Sequence, residues 1–168
     1  MKMKYLLALL SLALAGCTQK SESATPNADA ARIAALESQL EDLKPGLGEI
    51  MSVIQQHHAK LYYAAKAQNW TLADYQLGEI REGLEDAAKF HPHFKTVKAP
   101  LNELIPAMTK PGLDEIDAAI KAQKKADFEK GFHNLTVSCN ACHSAAEHPF
   151  IVVQIPSAAE FTNQKFLK

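Results

Sequence analysis

The chain has 168 residues, and its 18 Lys and Arg nearly balance 19 Asp and Glu, for a net charge of −1. No strong basic patch appears, which excludes nucleic acid as an attractive partner. Only three cysteines occur, Cys17, Cys139 and Cys142, too few for a disulfide framework.

Lys2 and Lys4 give the chain a positive start, and Tyr5 to Leu14 is an apolar run too short to span a bilayer comfortably. This is the pattern of a secretory signal peptide over residues 1–16. Its end, Leu14-Ala15-Gly16-Cys17, resembles the bacterial lipobox. The resemblance implies export, lipidation of Cys17 and anchoring to a membrane facing the periplasm, with Thr18 favouring the outer membrane. Loss of Lys2 and Lys4 would leave 16 basic against 19 acidic residues, in a chain of ordinary single-domain length.

Residues 17–28 are small and polar and read as a flexible tether. Ile33, Leu36, Leu40 and Leu43 then recur at three-four spacing, the pattern of a coiled-coil seam. A helical extension over 29–44 therefore either lies on the rest of the protein or associates with a second copy as a homodimer. Pro45-Gly46 interrupts it.

A second helix runs from Leu47 to about Gln68 through Met51, Ile54, His58, Leu61 and Tyr62. Asn69-Trp70-Thr71 marks a corner able to cap a third helix, which carries Leu72, Tyr75, Glu79, Ile80, Leu84 and Ala87 on one side and stops at His91-Pro92. Pro100 and Pro106 predict a long connection over Phe94 to Lys110 containing a short helix. Pro111 suits the first position of a fourth helix facing inward through Leu113, Ile116 and Ile120. Asp127 opens the last helix, through Phe128, Phe132, Leu135, Cys139 and Cys142, closed by Pro149. Residues 151–168 read as an extended tail. No internal repeat stands out. The expectation is an all-α fold: an antiparallel four-helix bundle over 47–150, with the N-terminal helical extension and a short C-terminal tail.

The chemistry concentrates in Cys139-Asn140-Ala141-Cys142-His143. Two cysteines three apart on a helix project from one side and can add across the two vinyl groups of haem, and the following histidine can bring a ring nitrogen onto the iron. A redox C-x-x-C normally follows a strand at a helix start, and a structural zinc site needs further ligands. Covalent attachment of one haem c through Cys139 and Cys142 is the expectation, with His143 as proximal ligand.

A haem motif on the last helix of a four-helix bundle resembles the class II c-type cytochromes, the group containing cytochrome c prime, rather than the mitochondrial type. The resemblance covers Leu47 to about Pro149 and implies a distal site on the first bundle helix. Met51 or His58 could supply the sixth ligand, or the position could be open; seven residues apart, they share a face but cannot both serve one flat haem. His57 points to a flank and reads as surface, as do His91 and His93 in a turn, whereas His148 caps the last helix and Glu147 could accept a proton from His143. No nucleophile–base pair marks an enzyme. Three functions follow: periplasmic electron transfer with an unidentified redox partner, binding of small gases such as NO or CO at an open iron, or a lipoprotein scaffold with haem as a structural post.

Overall fold

The computed structural model describes residues 26–95, 97–158, 161 and 163–167. Their helices are α1 (Pro26–Asp42), α2 (Leu47–Lys66), α3 (Trp70–Phe90), α4 (Leu101–Lys121) and α5 (Lys125–Ala145), with no strand among the described residues. The expected signal peptide, Cys17 and most of the expected tether lie outside them. Helix begins at Pro26, earlier than expected, so residues 26–28 are not tether. The chain divides into two units, residues 1–43 and 44–168.

In the first unit, residues 27–43 are all exposed, Ile33, Leu36, Leu40 and Leu43 among them.

The second unit is an antiparallel four-helix bundle. Helices α2 and α3 pack closely, as do α4 with α5 and α3 with α4, while the closing seam between α2 and α5 is the loosest. Each tight hairpin turns on three residues, and the two turns are alike. Lys66-Ala67-Gln68 ends α2 and Lys121-Ala122-Gln123 ends α4. Gln68 and Gln123 both take left-handed conformations, φ 56° and 54°. Asn69 N–H reaches back to the Ala64 carbonyl, and Lys124 N–H to that of Ala119, at 2.9 and 3.0 Å. Both are Schellman closures, made with glutamine where glycine is commonest. The sequence thus does repeat, over three residues that set a turn. Asn69 caps α3 by accepting from the Leu72 amide at 3.3 Å.

The core runs along all four helices: Ile50, Ile54 and Leu61; Leu77, Ile80 and Leu84; Leu101, Ile105, Leu113 and Ile116; Phe128, Phe132 and Leu135. Phe128 and Phe132 are fully buried and stack at 5.7 Å, and Trp70 meets Phe128 edge-on. Tyr75, expected inward, is exposed; Trp70, Ala73 and Gln76 turn the buried face of α3 away from it.

The expected proline-punctuated connection is largely helix. α4 starts at Leu101 and continues through Pro106 and Pro111, so Pro111 does not begin a helix. Each internal proline removes one backbone bond at a cost of about 3 kcal/mol. Both are exposed, so the freed carbonyls of Asn102 and Ala107 face a side where water can serve. The buried stripe through Ile105, Thr109, Gly112, Leu113 and Ile116 keeps the helix whole.

Gly112 lets α4 approach α5: a Cβ there would stand 3.0 Å from Leu135 Cα and 3.1 Å from its amide nitrogen. Backbone cannot swing aside as a side-chain tip does, so the added methyl strains the contact. Gly112→Ala should therefore lower stability by about 1–2 kcal/mol in urea unfolding. Gly78→Ala in α3, where a Cβ meets nothing within 4 Å, should raise it by about 0.5–1 kcal/mol through helix propensity.

Candidate functional site

Cys139, Cys142 and His143 occupy the last two turns of α5 and extend its buried stripe beyond Phe132 and Leu135. The two cysteines are free thiols, half-buried, and packed against the core. Burial pushes the Cys139 thiol up to about 11, with the neighbouring Cys142 adding to the effect. Burial raises Cys142 as well. Both therefore stay protonated at neutral pH, the opposite of the depressed thiolate that a redox C-x-x-C uses.

The His143 ring is fixed by the tail. Its Nδ1 lies 2.8 Å from the Ile151 carbonyl oxygen. A carbonyl only accepts, so Nδ1 carries the proton, and in the neutral ring Nε2 keeps its lone pair for a metal. Glu147, the partner considered from sequence, is not used; it sits in a left-handed turn, φ 63°, at the end of α5. The tail is itself pinned by Asn140, whose Nδ2 donates to the Val153 carbonyl while its Oδ1 accepts from the Val153 amide, both at 2.8 Å. One of the two unspecified positions of C-x-x-C-H is thus a clamp, which nothing in the motif's chemistry announces.

Beyond this clamp the tail follows α2. Lys60 lies over the Phe161 ring at 5.0 Å, Phe166 meets Tyr63, and the Phe166 carbonyl accepts from Asn69 at 3.0 Å. Between α2 and the tail lies a cavity of about 610 Å³, lined by Ser52, Gln55, Gln56, His58, Ala59, Val153, Phe161 and neighbouring tail residues. The cysteines do not line it.

His58 is buried in α2, against Phe132 at 4.3 Å between ring centroids. Its Nε2 is 3.0 Å from Thr136 Oγ1, and the Thr136 hydroxyl donates to the Phe132 carbonyl at 2.8 Å. With that proton committed, His58 Nε2 is the donor and Nδ1 the acceptor. Burial lowers the ring to about 4.

Met51 is half-buried on the same face of α2 and packs against the core. The His58–Thr136 bond aligns α2 with α5, and Met51 and His143 each lie seven residues, two turns, from that bond toward the same end of the bundle. The register thus puts Met51, and not His58, level with His143.

The remaining histidines are placed as follows. His57 is not on the surface: its Nδ1 meets Gln76 Oε1 at 2.7 Å and its Nε2 faces Glu79 at 3.6 Å, across α2 and α3. His91 donates to the Pro45 carbonyl at 2.8 Å, holding the chain just before α2. His93 and His133 are exposed. His148 donates to the Ala146 carbonyl at 2.6 Å and so caps the end of α5 as expected. Among the described residues, no three His, Cys, Asp or Glu side chains converge to hold a metal ion by themselves, and no helix is long and apolar enough to cross a membrane. No protein family, curated protein or solved structure matches the chain.

The depressed His58 pKa makes a pH prediction. The unfolded imidazole binds a proton near its ordinary 6.5 and the folded one only near 4, so unfolding takes up a proton between these values. The stability contributed by neutral His58 is complete above pH 6.5 and is lost progressively as pH falls toward 4, by about 3 kcal/mol in all. In His58→Gln, which cannot titrate, the decline of urea midpoints over this window should flatten.

Proposed function

We propose that the chain is a single-haem c-type cytochrome, exported and tethered through a lipid on Cys17, that carries electrons at the periplasmic face of a membrane. The observation that supports this most directly is the state of His143: one residue after Cys142, its Nδ1–H is held by Ile151 and its Nε2 is left as a ligand. The donor set fits haem c. Two protonated thiols one helical turn apart suit thioether formation, and a histidine oriented by a backbone carbonyl suits axial ligation, because a partner on the second ring nitrogen fixes the tautomer and raises ligand basicity.

When bound, the haem iron supplies one-electron exchange between ferric and ferrous states. Cys139 and Cys142 would hold the group, and His143 would ligate it from α5. Met51 would supply the sixth ligand, because the register of α2 against α5 favours it and His58 has its Nε2 committed to Thr136 two turns away. Exclusion of water by Ile50, Ile54 and Leu84, core residues toward that end of the bundle, would favour a small reorganisation on electron transfer.

A second reading, binding of a small gas, is favoured by the loose α2–α5 seam and the 610 Å³ cavity beside it. Spectra of protein made in a host able to attach haem separate the two. The expected result is covalent haem with a six-coordinate, low-spin spectrum, lost on attachment-blocking Cys139→Ala/Cys142→Ala. Met51→Ala should turn it five-coordinate and high-spin, while His58→Ala should leave the coordination unchanged. A wild-type spectrum that is already five-coordinate would transfer the assignment to gas binding, and a chain that acquires no covalent haem would sink both.

A further inference from the structure

Among the described residues of the first unit, the apolar side chains of α1 and its end form a seam that lies exposed. Ile33, Leu36 and Leu40 on α1 and Leu43 just after it are 56, 50, 63 and 78% exposed, and residues 27–43 are exposed throughout. Leaving four large aliphatic side chains in water forgoes the stabilisation that burying their apolar surface would supply. A 17-residue helix is also marginal in water without a packed face. Spacings of three, four and three place these residues at successive a, d, a and d positions of two heptads.

We propose that this face pairs with a second copy of the chain as a parallel, in-register two-stranded coiled coil. Two features select that occupant. Ile33 at a followed by Leu36 at d is the combination that favours parallel dimers. With Ile33 at a, Arg32 falls at g and Glu37 at e, and a parallel pair places g of one helix beside the following e of the other. Arg32 of each copy then faces the partner copy's glutamate at position 37, twice by symmetry, with opposite charges. Positions 34, 35, 38 and 41, at b, c, f and b, carry Ala, Ala, Ser and Glu and remain on the outside. The pairing draws on nothing at the haem motif, so it stands or falls apart from the cytochrome reading.

The full chain tests it by oxidative crosslinking. In a parallel, in-register pair the two copies of position 36 are neighbours within disulfide reach, whereas an antiparallel pair brings position 36 beside a different residue. Leu36→Cys should crosslink well above the parent chain's own cysteines, and Ser38→Cys, on the outer face, should not. Adding Arg32→Glu to Leu36→Cys should weaken association about fivefold, from two like-charged pairs at roughly 0.5 kcal/mol each. Adding Glu37→Arg as well should restore the yield. Sedimentation of Leu36→Glu/Leu40→Glu should show monomer at concentrations where the parent dimerises. Equal crosslinking at 36 and 38, a monomeric parent, or indifference to Arg32→Glu would overturn the proposal and leave the seam to a different partner.

Discussion

The buried hydrogen bond from His58 to Thr136 is the constraint on which the site's geometry depends. An imidazole without a partner inside an apolar bundle would cost on the order of 1–3 kcal/mol in lost hydration. Thr136 removes that cost only at one longitudinal offset of α2 against α5. Sliding the helices by a turn would orphan the imidazole, leave Thr136 only its bond to the Phe132 carbonyl, and move Phe132 off the His58 ring, which it now covers at 4.3 Å. A register set by packing alone is softer, because aliphatic side chains accept several offsets. Along the loosest seam of the bundle a polar lock thus matters most, and through it Met51 comes level with His143.

From this lock outward, the site is built in layers. Phe132 and Leu135 fix the buried face of α5, Cys139 and Cys142 continue it, and His143 ends it. The tail then turns back, and Asn140 catches it at Val153 so that the Ile151 carbonyl meets the imidazole. Asn140 therefore acts on His143 through the tail. The motif shows where the sulfur and imidazole groups stand. It does not show that one of its unspecified positions organises the hydrogen bond of His143, because the partner lies thirteen residues on in a segment without periodicity.

The same division runs through the fold. Helix existence was legible wherever apolar residues recur at three-four spacing, since that pattern reports one buried face. It failed at α4, where Pro106 and Pro111 read locally as breaks; both lie on the solvent side, and the unbroken stripe of Ile105, Leu113 and Ile116 outweighs them. It also misplaced Tyr75, because an amphipathic tyrosine satisfies either side of a helix boundary and only neighbours on α2 and α4 decide. Spacing on α2 alone points His57 to a flank, because its partners Gln76 and Glu79 lie on another helix. The repeated Lys-Ala-Gln is too short to stand out as a repeat in sequence, and its meaning lies in the φ angles and back-bonds that coincide at the two turns.

Placement at a helix C-terminus also bears on what Cys139 and Cys142 can do. A helix N-terminus presents a partial positive charge that lowers thiol pKa, whereas the C-terminus presents a partial negative one. Cys142 lies in the last turn of α5, on the unfavourable side for a thiolate, and burial raises both thiols further. The environment that disfavours thiolate chemistry leaves intact what haem attachment asks for: two sulfurs on one face at a fixed separation, followed by an imidazole with one free nitrogen. The motif's place in the fold, and not its letters alone, is what distinguishes these uses.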